Sequence, residues 1–165
     1  MKRRVAISAF GAALLAAGTI SAVLAGNGSL TAHLIGEGEN PDVDTRATGQ
    51  AILKVDAAAG EASWRLIVSN IEDVTQAHIH CGGPAVNGPI VVFLFGLDAT
   101  PDDHHGVLST GTFDDSDVID RPDSPACPGG VADFDDLMEK IAAGEAYVNV
   151  HTTANPGGEI RGQIQ

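Results

Sequence analysis

Hydrophobic and polar residues alternate with a period of two through most of the chain. Leu30, Ala32 and Leu34 alternate with Thr31 and His33 until Gly36-Glu37-Gly38-Glu39-Asn40-Pro41 breaks the run, which predicts a strand and then a turn. Ala47, Gly49, Ala51, Leu53 and Val55 share one side of a second strand. Ala62, Trp64, Leu66 and Val68 face inward against Ser63, Arg65 and Ser69 in a third. Val74 to Cys81 reads as a fourth strand, and Ile90 to Phe95 as an almost continuously apolar fifth, the mark of burial on both faces or of one very wet end. Between Asp98 and Gly130 the pattern lapses into a Pro- and Asp-rich stretch, read as long surface loops interrupted by a short strand at Val107 to Phe113. The period then changes. Phe134, Leu137, Met138 and Ile141 sit at helical spacing, Asp133 can cap the start and Gly144 can end the run. Two last strands, Ala146 to His151 and Gly158 to Ile164, flank the turn Asn155-Pro156-Gly157-Gly158. About eight short strands and one helix predict an all-β antiparallel sandwich carrying one short amphipathic helix.

Composition narrows the class. The 165 residues are 44% hydrophobic despite a net charge of −13, which excludes a disordered acidic tail. Residues 1–25 hold three of the nine cations and no acid. Lys2, Arg3 and Arg4 precede an Ala/Leu/Val-rich stretch that ends in Val23-Leu24-Ala25, the pattern of a signal peptide cleaved after Ala25. The alternatives are a retained membrane anchor over Val5 to Ala25 and, from the Arg3-Arg4 pair, twin-arginine export. Residues 26–165 then form one domain, long enough for one core. Its six scattered cations against 22 acids supply no basic stripe for nucleic acid. The predicted location is secreted or cell-envelope, extracellular or periplasmic, with no membrane span after cleavage. Cys81 and Cys127 fall in a compartment where disulfides persist, so they are expected to pair; two buried thiols are the alternative.

Alternation also assigns faces. If Ala77 and Ile79 point into the core, Gln76, His78 and His80 share the opposite face. If Val148 and Val150 point in, Tyr147, Asn149 and His151 share theirs, and Glu159, Arg161 and Gln163 face outward from the last strand. On neighbouring strands these rows make one polar patch. His78 and His80 lie about 7 Å apart on one strand face, and His151 can add a third imidazole, a set that suits copper or zinc. The competing reading is a hydrogen-bonded polar ladder in which the imidazoles bond Asn149, Glu159 or Arg161 and fix the register of the sheet. His104-His105, beside Asp102-Asp103, reads as a solvated loop. The clustered aspartates lack the twelve-residue pattern of a calcium loop, and Asn27-Gly28-Ser29 is formally a glycosylation acceptor for a eukaryotic source. No catalytic motif is recognisable, so no enzyme is expected.

The segments AHIHCGGPAVNGPIVVFLF (77–95) and YVNVHTTANPGGEIRGQI (147–164) resemble the two signature blocks of the CHRD domain, a module first described in chordin and widespread in secreted bacterial proteins. LTAHLIGEGENP (30–41) resembles its first strand, and the helix before Tyr147 sits where the family places one. The resemblance covers about residues 29–165 and implies a secreted module with an immunoglobulin-like or Cu/Zn-superoxide-dismutase-like sandwich and no established enzymatic activity. Its motif positions are His78, His80, Gly82, Pro84, Gly88 and Pro89, and then Tyr147, Asn149, His151, Pro156, Gly157, Glu159, Arg161 and Gly162. Chordin's binding of bone morphogenetic proteins does not carry over, because its cysteine-rich repeats are missing from this sequence. Cys81 stands where many members have Gly, which assigns the bridge to a subgroup. The expectation from sequence is a non-catalytic binding or cell-envelope module with a protein or envelope ligand, the alternative a secreted copper or zinc protein using His78, His80 and His151.

Overall fold

The computed structural model describes residues 28–96 and 101–165. Strands form where the alternation runs: β1 (Gly28–Ile35), β2 (Thr48–Asp56), β3 (Glu61–Ile71), β4 (Val74–Cys81), β5 (Ile90–Phe95), β6 (His104–Asp114), β7 (Ala146–Thr152) and β8 (Ile160–Gln163). They make a single antiparallel sheet in the order β5-β4-β7-β8-β1-β2-β3-β6. The sheet curls until its two outermost strands meet, with the rings of Phe95 on β5 and His104 on β6 6.1 Å apart. The antiparallel β architecture predicted from sequence is therefore realised as one nearly closed, barrel-like sheet.

Its interior collects the apolar alternates: Leu34, Leu53, Leu66, Ile79, Val148, Val150 and Ile160 are all fully buried. Trp64 is only half-buried, because its indole N–H reaches out to Ser109 Oγ at 3.2 Å. The single helix of the described residues, α1 (Phe134–Ala142), lays Phe134, Leu137, Met138 and Ile141 against this core. Asp133 caps it by accepting the Asp136 N–H at 2.9 Å, and Asp135 and Asp136 occupy the first turn, where the helix dipole favours acids.

The stretch between β5 and α1 departs from the expected loops. β6 begins at His104, three residues before the alternation becomes readable at Val107, so His104 and His105 belong to a strand rather than to a solvated loop. His104 Nε2 meets Asp102 Oδ1 at 2.7 Å, and His105 Nδ1 accepts the Asn70 N–H at 3.2 Å. Beyond β6 the chain runs along the free edge of β5. The Ile119 N–H donates to Val91 O at 2.8 Å and Arg121 Nε to Ile90 O at 2.7 Å, which satisfies an otherwise open strand edge. Cys127 ends this run and forms the expected disulfide with Cys81, across a sequence separation of 46 residues. Closing a loop of that length stabilises the fold by about 4 kcal/mol in the chain-entropy model.

The predicted leader (1–25) and Asn27 of the glycosylation acceptor lie outside the described residues. Among the described residues no helix is long and apolar enough to cross a membrane.

Candidate metal centre

β4, β7 and β8 lie side by side, and their register builds the polar patch as a grid. His78 pairs with Asn149 and Asn149 with Arg161; His80 pairs with Tyr147 and Tyr147 with Gln163; Gln76 pairs with His151. Alternation places these residues opposite Ala77, Ile79, Val148 and Val150. An outer sheet face is ordinarily wet. Here every residue of β7 is buried, and His78, His80, Asn149, His151 and Arg161 are all buried as well.

Three irregular segments cover the patch. The loop 82–89, between β4 and β5, is held down mainly by Arg161, whose guanidinium donates to Gly83 O at 2.9 Å, Val86 O at 3.1 Å and Asn87 Oδ1 at 3.3 Å. The same guanidinium lies 3.4 Å from the centroid of the Tyr147 ring. The turn after β1 (Gly36–Gly38) interlocks with that loop, since Asn40 Nδ2 donates to Ala85 O at 2.7 Å and Asn87 Nδ2 to Asn40 O at 2.6 Å. The turn 153–158, between β7 and β8, supplies the third cover.

These covers fix the imidazoles. A carbonyl oxygen can only accept, so His80 Nδ1 donates to Gly88 O at 2.8 Å and His151 Nδ1 to Pro156 O at 2.9 Å. Each neutral ring then carries a bare lone pair on Nε2. That of His151 faces His78 Nδ1 at 3.0 Å, and with His78 Nδ1 as the donor, His78 Nε2 is bare as well. Neither His78 Nε2 nor His80 Nε2 has a hydrogen-bond partner, although both are buried. Burial, reinforced by the neighbouring rings, pushes the His78 pKa down to about 3. Burial likewise pushes His80 down to about 4 against the pull of the Gly88 carbonyl, and it lowers His151. The three rings are neutral at pH 7, the form in which imidazole binds metals.

One donor atom from each of the three rings lies within 4.8 Å of the others. Two nitrogens bound to one ion at about 2.0–2.1 Å stand roughly 2.9–3.4 Å apart, depending on the angle between them. The 3.0 Å separation of His78 Nδ1 and His151 Nε2 is within that span, so an ion held between them would take the place of the shared proton, which His78 would then carry on Nε2. His80 stacks on Tyr147, with centroids 4.8 Å apart and planes 7° from parallel, which holds its ring orientation from the side. Phe93 of β5 packs edge-on against His78 at 4.6 Å and shields it from solvent.

The chain matches the family model of the CHRD domain over residues 30–164. It belongs to the CHRD family. No curated protein and no solved structure gives a significant match. The three histidines of this CHRD domain therefore have to be interpreted from their own geometry.

The remaining predicted residues fall into separate roles. Asn149 sits at the centre of the grid, and its Oδ1 is buried without a partner. Glu159 does not join the imidazoles or Arg161. Its carboxylate accepts from Thr45 Oγ1 and Thr152 Oγ1, both at 2.7 Å, and from Asn155 Nδ2 at 3.0 Å, which fastens the end of the 153–158 turn to the segment before β2. Sequence reasoning missed Glu39. Its carboxyl group is buried beside Asn149 with Oε1 unpartnered, and burial raises its pKa to about 7 against the opposing pull of Arg161 and Asn149. One signal was present in the Gly-Glu-Gly-Glu run: a Cβ at Gly38 would strike the backbone carbonyl of Arg161, so only glycine lets this turn lie flat on β8 with Glu39 above the patch.

Proposed function

We propose that this CHRD domain is an exported metal-binding module holding one copper or zinc ion through His78, His80 and His151. The observation that carries the reading is the convergence of three buried imidazoles, one nitrogen of each within 4.8 Å of the others, with His80 Nε2 left without a partner. Leaving a buried acceptor unmade costs about 1–3 kcal/mol, a cost that a bound ion removes. Two further features support it. The Nδ1 atoms of His80 and His151 donate to backbone carbonyls, the second-layer arrangement that fixes the tautomer of a metal-binding histidine. The ladder reading has the imidazoles bonding Asn149, Glu159 or Arg161; Asn149 does lie against His80, but the bonds that fix the rings go to the Gly88 and Pro156 carbonyls and between His78 and His151. The module reading, rather than an enzyme, is supported by how the surrounding side chains are engaged: Glu159 fastens a turn and Arg161 a loop. The disulfide fits an oxidising compartment outside the cytoplasm.

Metal titration of the purified chain tests this. Zinc or copper is expected to bind at one ion per chain, to move the His78, His80 and His151 NMR signals, and to stabilise the fold by about 4 kcal/mol at a thousandfold excess over Kd. His80→Gln is expected to keep the fold and lose that stabilisation. A wild-type chain whose melting temperature and histidine signals ignore both metals would overturn the reading.

A further inference from the structure

Resting on that reading, we propose that Glu39 and Asn149 form a receptor for one water molecule beside the three-histidine site, the exchangeable ligand that a small anion replaces.

The unpartnered buried atoms here share one chemical sense. With the tautomers set by Gly88 O and Pro156 O, His78 Nε2 and His80 Nε2 are acceptors, and so is Asn149 Oδ1. Glu39 Oε1 is the fourth polar atom without a partner, and in the ionised form it too only accepts. A pocket of acceptors needs either a cation or hydrogen-bond donors. The nitrogens suit the cation. The two oxygens are left over, and a water molecule on the cation has two O–H groups to give them.

Placement supports the pairing. Asn149 stands next to His78 in the register, and its side chain reaches both the His80 ring and the Glu39 carboxyl group. Gly158 makes the niche. It adopts a φ of +129°, and a Cβ there would collide with Glu39 Oε1 and come within 2.8 Å of Asn149 Nδ2. Glu39 also lines a cleft between the turn after β1 and the loop 82–89, with Asn40, Pro84, Ala85 and Arg161 around it.

Glu39→Gln keeps the shape of the side chain and removes its negative charge, which opposes an incoming anion. The chain is loaded with Cu(II) at pH 8 and titrated with azide, followed by the azide-to-copper absorption band. Exchangeable protons near the copper are read in parallel by pulsed electron–nuclear resonance in H2O and D2O. The wild type is expected to show exchangeable protons and weak azide binding, and Glu39→Gln to bind azide about tenfold more tightly at unchanged copper stoichiometry. Gly158→Ala, which pushes the Glu39 carboxyl group aside and crowds the Asn149 amide nitrogen, is expected to change the exchangeable-proton signal. Copper bound in wild type and Glu39→Gln with equal azide affinity, or with no exchangeable proton, overturns the receptor and leaves the three-histidine site standing. No copper bound by the wild type defeats the metal site and the receptor with it.

Discussion

The two faces of the β4–β7–β8 sheet are buried to the same degree and built in opposite ways. The inner face carries Ala77, Ile79, Val148, Val150 and Ile160, which meet other apolar side chains of the same curled sheet. The outer face carries His78, His80, Asn149, His151 and Arg161, and irregular loops cover it. The cover decides what each face can hold. A second layer of side chains offers no hydrogen bonds, so polar groups there would be costly. Loops bring backbone carbonyls, and these set the imidazole tautomers at Gly88 and Pro156. Burial alone therefore does not separate core from site here; the chemistry of the covering segment does.

Arg161 gives the largest expected difference between the faces. Replacing it by Met keeps apolar volume but removes the donors to Gly83 O and Val86 O. Each acceptor left without a partner costs about 1–3 kcal/mol, so Arg161→Met is expected to lower stability by about 4 kcal/mol in urea unfolding. Amide exchange should rise first in the loop 82–89 while the inner-face amides of β4 and β7 stay protected. Uniform loss of protection would mean that Arg161 supports the whole sheet rather than one cover.

Acid provides the next contrast, because only the outer face titrates. As pH falls below about 6.5 the unfolded chain protonates its histidines, whereas folded His78 and His80 stay neutral until about 3 and 4. The unfolded state then binds more protons, so stability falls with falling pH, by up to about 1.4 kcal/mol per unit for each ring. Glu39 works the other way. Its folded pKa of about 7 lies above the ordinary 4.5, so between those values the folded state binds the extra proton and gains stability as pH falls. The three together lose about 2 kcal/mol between pH 6.5 and 4.5, and His151 adds in the same direction. In Glu39→Gln the opposing contribution is gone, and the loss over that range should nearly double. An equal pH dependence in the two proteins would show that Glu39 does not titrate as its burial requires.

Much of the fold is legible in the sequence because apolar alternation reports the inner face directly. Leu53, Leu66 and Ile79 sit inward as their spacing predicts, and α1 buries the four residues whose period is helical. The polar rows of β4, β7 and β8 are legible for the same reason. Their burial is not. The covers are Gly-, Pro- and Asn-rich segments without periodicity, and such segments read only as turns. Glu39 therefore reads from sequence as part of a turn. Glu159 and Arg161 share one outward row in the sequence, yet Glu159 bonds Thr45, Thr152 and Asn155 while Arg161 bonds the loop 82–89. Thr45 and the loop 82–89 are so distant in sequence that these bonds leave no local trace.

The smallest expected effect is also the most discriminating. Tyr147→Phe on the outer face and Ile79→Val on the inner face each remove one small group from a buried position, and each should cost about 1 kcal/mol. The first deletes the hydroxyl that accepts the Gly88 N–H at 3.2 Å while keeping the ring stacked on His80. Gly88 is also the residue whose carbonyl holds the His80 Nδ1 proton, so loosening its amide loosens that grip. Ile79→Val deletes one methylene from the adjacent residue of the same strand, on the side facing the core. Equal losses in unfolding with a shifted His80 Nδ1 proton resonance only in Tyr147→Phe would show that the loop, not the sheet, sets the imidazole. A shift of the same size in Ile79→Val would mean that the strand itself positions His80, and that the two faces are less independent than their covers imply.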